Sequence, residues 1–294
     1  MGMGTNQITT TTADKFIPDV WVDEVRAFLR ASLVLADKVK MIPFEGKRGD
    51  TLHIPDVSEM TTTAKAANTA VTLQVFTETE FTLSINKWRE ASFVIEDIVA
   101  VQSLYDLRSE YTKSAGYGVA KNIDMALAGL SVSLTTNVIG SDGTTTFTAS
   151  LSGNQTDIAE AGLRAVIERL DTANVPDDGG RCLWVHPAQK NVLLAISRFT
   201  EYQMIGAGGM PLRTGQFGEI FGIPVYVSTQ PTVSGTAHTN FLFHKNAIAL
   251  AIQNSPRVQA QYRLDFLGWL FVVDVIYGYG IYRQNHINGI STPV

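Results

Sequence analysis

With 294 residues, 45% of them hydrophobic and 17% charged, the chain is long enough for one large or two ordinary domains and too apolar to be disordered. A net charge of -5 excludes a global basic field that would gather nucleic acid. The lone cysteine, Cys182, excludes an intramolecular disulfide and a cysteine-based metal cluster, and no apolar run approaches the roughly 20 residues of a membrane span.

Residues 1–13 are polar and Thr-rich and predict a mobile arm. "MGMGTNQITTTTADKF" has neither the basic nor the apolar region of a secretion signal, so folding in the cytoplasm is expected. From Pro18, Val20, Trp21, Val25, Phe28, Leu29 and Leu33 recur at helical spacing, with Asp19, Asp23 and Glu24 in the first turns. The period then changes. "TLHIP" reads as a short strand, and "EFTLSINKW" alternates with Phe81, Leu83 and Ile85 on one face. Between them "TTTAKAANTA" is small and polar, which predicts a two-stranded arm with a weakly ordered tip. Two strands alone bury too little to be stable in water, so the arm needs something else to lie on.

Apolar and aromatic residues at helical spacing from about Ile98 to Leu130 predict one long helix of roughly 50 Å. Gly116 and Gly118 inside it are expected to mark a bend or a close contact. "VIGSDGTTTFTASLSGN" is turn-rich, after which Asn154 or Thr156 is expected to cap a helix carrying Ile158, Leu163, Val166, Ile167 and Leu170. "RCLWVHP" reads as a buried strand that makes Cys182 an inert thiol. Pro187 begins another helix. "GEIFGIPVYVST" is strand–turn–strand, and "HKNAIALAIQ", "VQAQYRL" and "GWLFVVDVIYGYGIYR" are successive strand candidates. Helices and strands segregate in patches, which argues an α+β fold.

The residues offer no catalytic constellation. His53, His186, His238, His244 and His286 lie far apart, with no pair at metal-ligand spacing on one helix face. His186 and His244 read as hydrogen-bonded structural residues. The loop "GAGGMPLRTGQFGEIFG" lacks the order of a phosphate-binding loop and is followed by a strand. Glu78 and Glu80 share a solvated face, GxSxG is absent, and no basic patch with interleaved aromatics appears. No metal and no cofactor is expected. Arg48-Gly49-Asp50 is the tripeptide of cell-attachment signals. Here Gly46 and Gly49 bracket a tight turn before "TLHIP", where Asp50 can bond to the backbone two residues on, so a turn and a subunit contact is the favoured reading.

The order of elements, with the runs "TADKFIPDVWVDEV", "KRGDTLHIP", "AANTAVTLQ", "KWREASFVIEDI", "YDLRSEYTKSAGYGVAKNID" and "RTGQFGEIFGIPVYVS", resembles the major capsid proteins of tailed bacteriophages, the Hong Kong 97-like fold. The resemblance covers about Thr12 to Tyr282 and implies an N-terminal arm (1–45) and an extended β-hairpin E-loop (46–90). It implies a peripheral domain with a spine helix (91–139 and 241–294), whose sheet the C-terminal strands complete, and a mixed α/β axial domain (140–240). The implied function is self-assembly as hexamers and pentamers into an icosahedral head enclosing double-stranded DNA, without sequence-specific binding and without a membrane. Partners would be other copies of the chain, a portal protein, a decoration protein and, because the arm starts almost at Met1, a separate scaffolding protein. Arg48, Asp50, Phe81, Leu83, Ile85, Tyr105, Arg108 and Tyr111 are the expected subunit contacts, the E-loop laying its Phe81–Leu83–Ile85 face over a neighbour's spine helix. Lys65 and Asn68 are of the types that cross-link in some members, but with no catalytic carboxylate to assign, a non-covalent shell is expected. A cytosolic hydrolase, a receptor-binding protein and a tail tube subunit are the competing readings, the last a poor fit to the long helix.

Overall fold

The computed structural model describes residues 35–46, 48–56, 60, 62–71, 73, 78–102, 107–134, 137–143, 156–196, 218–230, 233–234 and 237–293. The helix expected from Pro18 to Leu33, Tyr105, Asn154 and the glycine-rich stretch 206–217 lie outside them.

Strand β1 (Lys40–Pro43) is followed by β2 (Thr51–Asp56) and β3 (Thr79–Ser84), which pair antiparallel from Thr51 opposite Ser84 to Asp56 opposite Thr79. This pair is the projecting two-stranded arm. Next come β4 (Lys87–Glu96), α1 (Asp97–Gln102) and α2 (Leu107–Ala128). The helix expected over 98–130 is thus described as two segments, with 103–106 outside the described residues. It gives way at Gly129 to a 3-10 turn reaching Ser133, since "GLSVS" is rich in poor helix formers. Val119, Ile123 and Leu127 are buried at four-residue steps. A Cβ on Gly116 or Gly118 would meet nothing within 4 Å, so neither glycine marks a close contact.

After β5 (Asn137–Ile139), helix α3 spans Glu160–Thr172. Its N-cap is Ala159, without a side-chain cap, and Thr156 instead accepts the Ser141 N–H at 2.9 Å. The expected cap is therefore displaced, because close packing fixes this helix start. A Cβ on Gly162 would lie 2.0 Å from the Gly140 carbonyl oxygen, so the first turn of α3 sits directly on the 140 turn. Strand β6 (Arg181–Val185) is wholly buried, and α4 (Pro187–Ala195) starts at proline as expected, with His186 accepting the Ala188 N–H at 3.3 Å. Strands β7 (Glu219–Ile220), β8 (Ile223–Val227), β9 (Val233–Ser234), β10 (Ala237–His244), β11 (Ile248–Arg263), β12 (Gly268–Ile281) and β13 (Ile287–Pro293) complete the chain. The two strands expected from "HKNAIALAIQ" and "VQAQYRL" are one strand, β11. Register shifts between Ile252 and Arg257 let its ladder pass Pro256, which has no N–H to give.

Two sheets form the body. One has the order β1-β11-β12-β4; the other has β5-β13-β10-β6-β8-β7, with β9 beside β10. The last strand, Ile287–Pro293, lies between β5 and β10 in the seven-stranded sheet, apart from β11 and β12. A shared core joins the sheets: Val119, Ile123 and Leu127 of α2 belong to one cluster with Val273, Val275 and Tyr277 of the four-stranded sheet and Trp184, Phe241 and Phe243 of the seven-stranded one. Each such large side chain stabilises the fold by about 1.5–3 kcal/mol on full burial. A second core lies under α3 and α4, built on Leu163, Val166, Leu170, Leu193, Val185 and Leu242.

Candidate functional site

Among the described residues neither the histidines nor the acids converge on a reactive group. Among the described residues no three His, Cys, Asp or Glu side chains gather at a metal position, and no helix is long and apolar enough to cross a membrane. His244 is fully buried; its Nδ1 accepts the Asn246 N–H at 3.2 Å, so Nε2 carries the proton and donates to Asp178 at 3.0 Å. That bond first, then the Gly180 N–H and the Lys245 charge, hold the Asp178 carboxyl at about 2, below its ordinary 3.8. A cavity of about 400 Å³ beside it is lined by Lys38, Lys40, Asp178, Cys182, Tyr226 and Lys245. Burial pushes the Cys182 thiol up to about 12, so the cavity holds no thiolate nucleophile at neutral pH.

The Asp178 bonds have a pH signature. A depressed folded-state pKa contributes stability that is present above the ordinary carboxylate value and lost as pH falls through the folded one. Asp178→Asn should therefore melt below the parent chain at pH 7, and the two melting curves should converge between about pH 4 and about pH 2.

What the structure builds with care is the root of the projecting arm. Gly46 and Gly49 have φ of 71° and 124°, backbone that side-chain-bearing residues rarely adopt, and they bracket the turn as expected. Gln253, at the register shift of β11, clamps that turn: its carbonyl accepts the Gly46 N–H at 3.0 Å, and its Nε2 donates to the Gly49 carbonyl at 2.9 Å. Ser255 donates from its hydroxyl to the Glu45 carboxylate. The Asp50 carbonyl accepts the Ile85 N–H at 2.7 Å, while its carboxylate takes the Thr51 hydroxyl at 3.3 Å. The carboxylate thus reaches the next side chain, not the backbone two residues on.

The face expected to be open is already covered. Leu83 and Ile85 are 2% and 5% exposed and pack with Phe44, Ala249 and Ala251, and half-buried Phe81 meets Tyr282 edge-on at 5.2 Å. Leu83 and Ile85 thus spend their apolar area on their own chain, where an open face was expected. Room for the arm comes from Gly278 and Gly280 of β12. A Cβ on Gly278 would stand 2.5 Å from the Ser84 carbonyl oxygen, and one on Gly280 3.2 Å from Leu83. The signal was present in "YGYGIY": glycines two apart inside a strand mark a close backbone approach on one face. Nothing local singles out Gln253.

Beyond the root the described residues of the arm are exposed. Met60 and Val71 are each 70% exposed and Leu73 89%, and Asn68 turns the tip with φ of 63°. Of the other expected contacts, Arg48 and Asp50 are exposed at the root. Tyr111 is 51% exposed and tilts against Phe93 at 5.6 Å, and the Arg108 guanidinium lies 5.1 Å over the Phe271 ring.

Comparison with known proteins completes the picture. A family model described as phage capsid protein matches residues 77–286, well over half of the chain. No curated protein matches it. Among solved structures, that of Mycobacterium phage Che8 superposes with a TM-score of 0.77 at 24% identity, covering 94% of this chain and 97% of that one. The capsid of cyanophage P-SCSP1u gives 0.78 at 17% identity over 99% and 97%, and that of Ralstonia phage GP4 gives 0.70 at 12% over 94% and 95%. At these identities the likeness is one of fold, and it runs nearly end to end.

Proposed function

We propose, since the chain belongs to the phage capsid protein family, that its copies close as hexamers and pentamers into an icosahedral head around double-stranded DNA. Its fold is the Hong Kong 97-like capsid fold, and it is a major capsid protein that self-assembles into a multimeric shell. The observation that supports the finer reading is the asymmetry of the arm. Its root is fixed to its own body by Gln253 and by the seat over Gly278, while Met60, Val71 and Leu73 are 70% exposed or more. A neighbouring copy is the surface those residues lie on, which deploys the E-loop in trans. Arg48 and Asp50 at the hinge, and Arg108 and Tyr111 on the spine helix, are the contacts we assign to that neighbour.

In this reading residues 46–90 are the E-loop and 91–136 with 248–281 the peripheral domain. Residues 137–247 with β13, whose strands share the seven-stranded sheet, form the axial domain. Assembly takes place in the host cytoplasm on a separate scaffolding protein, with a portal protein at one vertex and room for a decoration protein outside. The net charge of -5 suits a vessel that holds DNA without gripping it.

Production of the chain with and without a scaffolding protein from the same genome, followed by sedimentation and electron micrographs, tests this. Closed icosahedral shells, uniform in size only with the scaffold, are expected. A folded chain that stays monomeric under both conditions would overturn the reading.

A further inference from the structure

We propose that the cavity beside Asp178, where the two sheets meet, is a binding site for a small, multiply charged phosphate anion held by Lys38, Lys40 and Lys245. The fold assembles it from stretches far apart in the chain. Lys38 closes the 3-10 turn at 36–38 and Lys40 opens β1, the edge strand of the four-stranded sheet. The stretch 178–182 leads into β6 and Tyr226 lies on β8, both in the seven-stranded sheet. Lys245 stands in the turn between β10 and β11, and its N–H donates to the Gly180 carbonyl at 2.9 Å, which ties that turn to the 178–180 loop. The resulting space of about 400 Å³ has cations on both of its walls.

How each charge is held selects the ligand. The Lys38 ammonium lies 4.8 Å over the Tyr226 ring and the Lys40 ammonium 4.5 Å over the Tyr282 ring. Among the described residues neither is paired with a carboxylate. Burial raises the Cys182 thiol and the Lys38 charge opposes part of that rise, so the ammonium lies near the wall that Cys182 forms. Two carboxylates, Asp37 and Asp178, also line the cavity. Asp37 is exposed. Asp178 is committed to the His244 ring at 3.0 Å and the Gly180 N–H at 2.9 Å, with the Lys245 ammonium 3.7 Å away. Arg181 is spent as well, on the Val175 and Pro176 carbonyls and on Asp171 at 2.7 Å. An anion entering between Lys38 and Lys40 therefore meets cations that still lack a counter-ion. The planar fork of arginine suits a carboxylate, whereas lysines act as point charges that serve a tetrahedral phosphate from several directions. Tyr226, the aromatic residue of the lining, gives a ring face to Lys38, so the cavity offers charge and not a platform for a base. Its volume falls among small-molecule sites, about 300–1,000 Å³, and is far below the bulk of a DNA duplex.

Thermal unfolding of the full chain in pyrophosphate, with ionic strength held constant by sodium chloride, tests this and needs no assembled shell. The midpoint should rise and saturate, by about 3 °C at about tenfold excess over the dissociation constant. The increment should vanish in the double variant Lys38→Gln, Lys40→Gln. It should persist in Lys65→Gln, whose lysine is exposed on the arm and outside the cavity. Lys245→Gln is the second variant if the double one does not fold, and it should weaken binding. No rise in the wild type, or an equal rise in every variant, would overturn the proposal. So would the same rise in malonate, which would make the site one for carboxylates. A short DNA duplex that gives the same rise at equal phosphate concentration would overturn it too, because the occupant would then be DNA.

Discussion

Gly278→Val is expected to lift the projecting arm off its own body and to abolish assembly while leaving the two-sheet core folded. The Cβ alone would lie 2.5 Å from the Ser84 carbonyl oxygen and 2.9 Å from the Ile85 Cα. Both are backbone, so no side-chain rotation relieves the clash. Either β12 shifts within its ladder to β11 and β4, or β3 rises from the sheet. The second route is the cheaper, since β3 is held by one partner strand and a small apolar seat, whereas β12 is paired with β11 along its length and with β4 from Gly268 to Tyr277. Overpacking typically costs about 1–3 kcal/mol and occasionally more; a clash with backbone atoms lies at the upper end, where it reaches the lower end of the about 3–6 kcal/mol that burial of Leu83 and Ile85 supplies. Limited proteolysis should cut the variant within 46–90 at least tenfold faster than the parent, with far-ultraviolet dichroism unchanged. Unaltered cleavage with normal particles would show that the seat does not hold the arm.

The second large effect is expected at Asp124, which is fully buried on α2. Its carboxylate oxygens accept the Ala36 N–H at 2.9 Å and the Leu35 N–H at 3.4 Å, which places the start of the described chain against the helix. These donors open the short 3-10 turn at 36–38 and have no partner within it. Asp124→Ala leaves both in an apolar setting beside Leu35, itself 1% exposed. An unsatisfied buried donor costs about 1–3 kcal/mol, so a loss of about 3 kcal/mol is expected. Asp124→Asn keeps one acceptor oxygen and should recover roughly half of it. Urea unfolding of the three chains reads this directly, and equal midpoints would mean that the Asp124 bonds contribute nothing.

What the sequence could and could not reveal follows from the range of each interaction. The β-branched run of β12, Pro187 at a helix start and the buried strand around Cys182 are local patterns, and each survives in the structure; "EFTLSINKW" keeps its alternation of burial but is split at Ile85–Asn86 between β3 and β4. The glycine turn at 46–49 was legible for the same reason. The covering of Leu83 and Ile85 was not, because alternation says that a face is apolar without saying what lies on it. The partners there, Ala249 and Ala251, are more than 160 residues away in the chain. Gln253 and Asp124 were missed because a polar residue bonded across such distances looks, in sequence, like any solvated one. The placement of β13 is likewise a matter of long-range pairing. The α3 start was misjudged because close packing of Gly162 on Gly140 outweighed the preference for a side-chain cap.

The central claim is that one arm is anchored in cis and deployed in trans. A cryo-electron microscopy map of the assembled shell, at a resolution that traces the backbone, tests it most directly. The expected map shows β3 of each subunit seated over its own Gly278 and Gly280, with residues 60–73 resting on an adjacent subunit. An arm folded back over its own body, or a β3 seated on a neighbour's β12, would contradict it.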